Sequence, residues 1–169
     1  MSTQVTVHRM VTTTTTSALL INVGYLKTFP GILKIFQIIL GCVAVGIIGH
    51  YIKWTYASSE LLVPELFFLL IASACLITTT LLLLSCIFSI ATASIIPKTL
   101  FVVLLHGTLS YLLVCSSINL LREVVTRNSG YRIYERGYKS KIFSGAVGLV
   151  NCALYIISSI YSVRTFRQG

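Results

Sequence analysis

The sequence predicts an all-α, polytopic membrane protein built as a bundle of four transmembrane helices. Of its 169 residues, 56% are hydrophobic and only 10% are charged, and the mean hydropathy is +0.90. A soluble domain usually carries about 25% charged residues, so this chain has too few of them to cover itself with a polar surface. Four long apolar stretches account for most of its length.

The four apolar stretches comprise residues 32–52, 66–90, 99–121 and 142–163. Each is long enough to cross a hydrocarbon core of about 30 Å at roughly 1.5 Å per residue. Because lipid offers no hydrogen-bonding partner, a spanning segment must be a helix or belong to a closed barrel. The stretches lack the alternating pattern of barrel strands and are about twice as long. We therefore predict a four-helix transmembrane domain at residues 30–165.

The segments outside this domain are short and polar. Residues 1–29 contain the low-complexity run "VTTTTTS" without apolar periodicity, which predicts a disordered tail. Residues 166–169 form a short C-terminal tail. Lys34 lies about one turn inside the first span, and its ammonium group is expected to reach back to the lipid headgroups.

The chain has five cysteines, and all of them lie within the predicted spans: Cys42, Cys75, Cys86, Cys115 and Cys152. Neither a CxxC motif nor a His/Cys spacing typical of a metal site is present. We therefore expect no metal and no cofactor, and interpret the cysteines as small packing residues. Cys86 lies near the end of the second span, which leaves palmitoylation open.

Small residues recur at a spacing of four in the first and fourth spans. They are Cys42 and Gly46 in the first span, and Ser144, Gly148 and Cys152 in the fourth. Leucine packs as well against lipid as against another helix, so association depends on the close backbone approach that small residues permit. Contacts within the bundle are the favoured interpretation, and homodimerisation is the alternative.

Four polar residues within the spans are functional candidates, because polar groups are costly in hydrocarbon: Gln37, His106, Asn119 and Asn151. His106 is either a proton carrier or, as we favour, a neutral imidazole hydrogen-bonded to a neighbouring helix. The two asparagines are expected to bond across helices. The sequence offers no Ser-His-Asp set, paired carboxylates or phosphate-binding glycine loop, so we predict no catalytic residue and no enzyme.

The loop between the third and fourth spans interleaves basic and aromatic side chains: Arg127, Tyr131, Arg132, Tyr134, Arg136, Tyr138 and Lys139. Such side chains stack on nucleic-acid bases in some proteins. A position at the lipid headgroups is favoured, because tyrosine and arginine both suit that zone. We therefore expect no nucleic-acid partner.

The positive-inside rule leaves the orientation nearly undecided. Four spans place both termini on one side. Six basic residues lie on that side and seven on the other, which slightly favours a cytosolic position for the basic loop.

Two segments resemble the first and last helices of MARVEL-domain proteins, the four-helix family that includes plasmolipin and the myelin-and-lymphocyte and chemokine-like-factor types. They are "YLKTFPGILKIFQIILGCVAVGII" and "KSKIFSGAVGLVNCALYIISSIYSVRTFR", and with the helix spacing the resemblance covers about residues 25–167. It implies cytosolic termini, extracytoplasmic loops at residues 53–64 and 122–141, and a place in the plasma membrane or in trafficking vesicles.

The resemblance also implies a non-enzymatic function in membrane organisation, during vesicle trafficking, membrane apposition, or assembly of cell junctions or sheaths. The expected partners are the lipid bilayer and other membrane proteins, with self-association open. One alternative is an adaptor or chaperone-like protein that binds a client membrane protein. A less favoured alternative is a small transporter or channel that uses His106, Asn119 and Asn151.

Overall fold

The computed structural model describes residues 22–55, 63–130 and 135–168, and all regular secondary structure in these ranges is helical. In chain order the helices are α1 (Phe29–Thr55), α2 (Val63–Phe88), a short α3 (Ile90–Ile95), α4 (Leu100–Asn128) and α5 (Tyr138–Gln168). The four long helices have the length and apolar composition of membrane spans. The predicted all-α fold with four transmembrane helices is therefore confirmed.

The long helices form a closed ring in which neighbours run antiparallel. α1 packs against α2, α2 against α4, α4 against α5, and α5 returns to α1. The start of α1 meets the end of α5, where Gln37 bonds Ser158, and the end of α1 meets the start of α5, where Ser140 bonds Tyr51. We call the first of these the terminal end of the bundle, and the second the loop end.

At the loop end, the helices continue beyond the apolar stretches. α4 extends to Asn128 rather than to residue 121, and α5 begins at Tyr138 rather than at residue 142. Hydropathy marks where apolar side chains stop, whereas a helix ends where the backbone must turn. That turn includes Gly137, whose φ of 83° favours glycine. A Cβ atom there would lie 2.5 Å from the Cδ1 atom of Tyr51.

The N-terminal tail is shorter than predicted. Residues 1–21 of the predicted disordered segment lie outside the described residues, but Val23–Lys27 form a 3-10 helix. The amide of Asn22 donates a hydrogen bond to the carbonyl of Ile87 (2.6 Å), and Tyr25 is buried. Burial of Tyr25 against α2 explains why this segment is ordered although its sequence is too short to span.

α5 supplies the closest helix contacts of the bundle. Ser144, Gly148 and Cys152 are all buried, and a Cβ atom on Gly148 would lie 2.5 Å from the Ser117 hydroxyl of α4 and 2.7 Å from the Phe68 ring of α2. The Ser144 hydroxyl donates to the carbonyl of Ala44 (3.1 Å) in α1. Small side chains thus let α5 pack closely against α1 and α4, and they leave room for the Phe68 ring of α2.

Cys42 and Gly46 do not pack inside the bundle, so the favoured prediction for this pair is corrected. Both are exposed, and nothing lies within 4 Å of a Cβ atom placed on Gly46. The core-facing residues of α1 are instead Ala44 and Ile48. A shift of two residues turns a helical position by about 200°, which places positions 42 and 46 on the outer face.

We predict that Gly148→Ala destabilises the bundle and that Gly46→Ala does not. The new methyl group at position 148 meets Ser117 and Phe68, and overpacking of this kind costs about 1–3 kcal/mol. Thermal unfolding of the purified chain in detergent, followed by circular dichroism, measures the difference. Equal midpoints for the two variants would contradict the close packing of α5.

Candidate functional site in the buried polar groups

Four charged side chains meet at the loop end and form an ion-pair cluster. Glu65 comes from the first turn of α2, Arg127 from the last turn of α4, Glu135 from the connection after it, and Lys141 from the first turn of α5. The Lys141 ammonium lies 3.0 Å from Glu65 and 3.1 Å from Glu135. Arg127 pairs with both carboxylates as well. The cluster therefore ties α2, α4 and α5 together.

The burial of the cluster makes these pairs matter for stability. Glu65 and Lys141 are 1% and 2% exposed, whereas the side chains of Arg127 and Glu135 are 26% exposed. Two acids and two bases give the group no net charge. A buried charge without a partner is strongly destabilising, so the ion pairs offset the cost of burying Glu65 and Lys141.

A second set of contacts fixes the connection that carries Glu135. The Asn128 side chain accepts a hydrogen bond from the amide of Glu135 (2.8 Å) and donates one to the carbonyl of Val124 (2.7 Å). The Ser140 hydroxyl donates to the Tyr51 hydroxyl (3.3 Å). These bonds position Glu135 over the ends of α4 and α5.

The seven residues predicted to face the headgroups do not share one environment. Arg127 belongs to the ion-pair cluster, Tyr138 is half-buried against the core, and Arg136 and Lys139 are exposed. The remaining three, Tyr131, Arg132 and Tyr134, lie outside the described residues.

Three of the four predicted intramembrane polar residues are buried. Gln37 donates to the Ser158 hydroxyl of α5 (2.9 Å), and the Asn151 side chain donates to the carbonyl of Gln37 (3.3 Å). These bonds join α1 to α5. Asn119 is half-buried, and within the described ranges its side chain makes no hydrogen bond to another helix.

His106 is buried, but its hydrogen bond is not to a neighbouring helix. Its Nδ1 atom lies 2.8 Å from the carbonyl of Val102, one turn earlier in α4. The ring centroid is 6.1 Å from that of Tyr155. The prediction of an interhelical bond is therefore wrong, because the i−4 carbonyl of the same helix is the nearer acceptor.

Tyr155 connects α5 to α2 across the interior of the ring. It is fully buried, and its hydroxyl lies 2.5 Å from the Thr79 hydroxyl and 3.1 Å from the carbonyl of Cys75. The Cys152 thiol donates to the carbonyl of Ser110 in α4 (3.2 Å). One face of α5 thus supplies polar contacts to its neighbours at successive turns.

The ion-pair cluster and the buried hydrogen bonds hold the helices of the bundle together. Among the described residues, no group of His, Cys, Asp and Glu has the geometry of a metal site. Sequence analysis missed Glu65 and Lys141 because both lie at span ends, where charged anchors are ordinary. A signal was present, since Glu65 is one of only four acidic residues in the chain.

The comparison with known families agrees with this architecture. The model of the MARVEL family, described as a membrane-associating domain, matches residues 25–161. No curated protein matches the chain, and no solved structure does. Together with the four apolar helices, the match shows an integral, multi-pass membrane protein.

We predict that Glu65→Gln lowers the free energy of unfolding by about 3 kcal/mol, the lower end of the cost of breaking a buried pair, because Glu135 still pairs with Lys141. Glu123→Gln is the matched control, since Glu123 lies near the same end of α4 outside the cluster. Thermal unfolding in detergent measures both. If the two variants unfolded alike, the cluster would not stabilise the loop end.

Proposed function

The chain belongs to the MARVEL family of membrane-associating domains, and we propose that it is a non-enzymatic membrane organiser. In this role it acts in vesicle trafficking, membrane apposition, or assembly of cell junctions or sheaths. Its action is lateral, through the lipids and helices that contact the outside of the bundle.

The observation that carries this proposal is the apolar outer surface of the ring. Each long helix exposes large hydrophobic side chains, such as Phe36, Leu70, Leu104 and Ile160, which are 50–61% exposed. Several buried polar side chains of the spans are already bonded between helices of the bundle. The surface open to partners is therefore the one that faces lipid.

The outer face of α1 is the part of this surface best suited to another helix. Cys42 and Gly46 lie on it, four residues apart, and no atom approaches a Cβ placed on Gly46 within 4 Å. Small residues at this spacing let two helices in a membrane approach closely. This face also supports the second candidate function, an adaptor that binds a transmembrane helix of one client protein.

We propose that the termini are cytosolic and that the loop end faces the lumen or the exterior, in the plasma membrane or in trafficking vesicles. The family resemblance supports this orientation, and the nearly equal numbers of basic residues on the two sides in the sequence, six and seven, do not oppose it strongly.

We predict that Gly46→Leu reduces lateral association without unfolding the bundle. The leucine side chain has room within the monomer, but it holds a partner helix away. Chemical crosslinking in native membranes, compared with wild type, reads out the association. Ala74→Leu is the matched control, because Ala74 is also small and exposed but lies on α2.

The two candidate functions separate in the same experiment. Loss of self-crosslinks by Gly46→Leu favours the organiser, whereas loss of a single heterologous partner favours the adaptor. If Gly46→Leu and Ala74→Leu both crosslinked as wild type does, the outer face of α1 would have no such role.

We predict that an epitope tag after Ser129 is accessible in intact cells, and that a tag after Gly169 is accessible only after permeabilisation. Ser129 is exposed just beyond α4 at the loop end, so a tag there leaves the cluster in place. Staining of the terminal tag alone in intact cells would reverse the proposed orientation.

A further inference from the structure

A cleft opens at the terminal end of the bundle, where several segments converge. It lies between the 3-10 segment Val23–Lys27, the start of α1 and the end of α5, with Pro97 and Cys86 closing its far side. Its empty space is about 390 Å³, which includes the open mouth. The enclosed part has room for about one water molecule.

Lys34 lines this cleft with most of its side chain buried. Its residue exposure is 7%, and among the described residues its ammonium has no hydrogen bond or ion pair. Lysines in membrane spans usually face the bundle interior only when they have a partner. The burial of Lys34 without a carboxylate therefore requires an explanation.

Tyr25 places a second polar group in the same cleft. The residue is 5% exposed, and its hydroxyl lies beside the Cys86 thiol, with no oxygen or nitrogen partner within the described ranges. Burial raises the pKa of Tyr25 above its ordinary value, and the neighbouring Cys86 raises it further. The hydroxyl therefore stays protonated and can donate a hydrogen bond. The cleft thus brings together an ammonium and a hydroxyl group that have no oxygen acceptor among the described residues.

The chain itself contains no acid that would serve as this acceptor. Its four acidic side chains are Glu60, Glu65, Glu123 and Glu135, and it has no aspartate. Glu65, Glu123 and Glu135 belong to the loop end, and Glu60 falls between α1 and α2 in the sequence, outside the described residues. Among the described residues, the terminal end carries five basic residues, Lys27, Lys34, Lys98, Arg164 and Arg167, and no acidic side chain. Among the described residues Lys34 therefore has no negative partner, and another molecule can supply one.

We propose that this cleft binds the headgroup of an anionic phospholipid from the leaflet on the side of the chain termini. Lys34 and Tyr25 donate hydrogen bonds to its phosphate oxygens, and the acyl chains lie along the apolar outside of the bundle. This site goes beyond the proposed function. Binding of lipid to the purified chain can be measured whether or not the chain organises membranes.

The depth and size of the cleft fit this ligand. Lys34 lies five positions after Phe29, about 7–8 Å along the axis of α1 from the start of the helix. The 27 residues of α1 are about 40 Å long against a hydrocarbon core of about 30 Å, so this depth is close to the expected boundary between headgroups and acyl chains. The enclosed space admits one phosphate oxygen rather than a whole headgroup, and the open mouth leaves the rest of the lipid outside. Anionic lipids are enriched in the cytosolic leaflet, which is the proposed side of the termini.

The test uses the full chain, purified in detergent and incubated with dioleoyl phosphatidic acid, phosphatidylserine or phosphatidylcholine, with native mass spectrometry to count retained lipids. We expect wild type to retain one anionic lipid in preference to phosphatidylcholine. Lys34→Met should weaken this binding about tenfold or more, since it removes a buried charged donor. Tyr25→Phe should weaken it severalfold.

Matched controls separate a site from general attraction. Lys27→Met and Lys98→Met each remove one exposed positive charge at the same end, and should leave binding within about twofold. Lys34→Met should unfold at the wild-type temperature or above, because an apolar side chain replaces an unpaired buried charge.

Several results would overturn the proposal. Equal retention of phosphatidylcholine and phosphatidic acid by wild type would remove the charge recognition. Equal losses in the Lys27, Lys98 and Lys34 variants would leave only surface attraction. If Lys34→Met did not fold, unchanged binding by Tyr25→Phe would count against the cleft. Displacement of the lipid by inorganic phosphate would assign the site to a soluble anion instead.

Discussion

Hydrocarbon cannot form hydrogen bonds, and the internal design of this bundle follows from that constraint. Many polar side chains of the spans face inward, and several of them find partners on other helices. Gln37 reaches Ser158, Ser144 reaches Ala44, and Tyr155 joins α5 to α2. Each bond is worth on the order of 0.6–2 kcal/mol, but together they fix which faces of apolar helices meet.

The number and the approximate positions of the spans were predictable, because a segment that crosses the membrane needs about 20 apolar residues whatever its neighbours are. The face that each helix turns toward the interior of the bundle was not predictable. α1 is apolar on all sides, so nothing in its pattern distinguishes the buried Ala44 from the exposed Cys42. Small residues permit close contact, but their spacing does not say with which partner. On α5 they meet the bundle, and on α1 they face outward.

The roles of the charged residues at the helix ends were the second feature that the sequence did not predict. An anchor in the headgroups and a buried ion pair use the same residue types at the same positions. Glu65 and Lys141 differ from ordinary anchors only because α2 and α5 bring them within 3.0 Å of each other. Lys34 differs because the 3-10 segment around Tyr25 folds over the start of α1 and closes it in.

The two ends of the bundle therefore handle buried charge in opposite ways. At the loop end, Glu65 and Glu135 neutralise Arg127 and Lys141, and the cluster is complete within the chain. At the terminal end, Lys34 is buried and the chain supplies no acid. A protein that leaves one buried charge unpaired gains stability when a molecule in its surroundings pairs with it. An anionic lipid would couple the stability of the bundle to the composition of the leaflet around it, which is a physical route by which an organiser of membranes can respond to the lipids that it gathers.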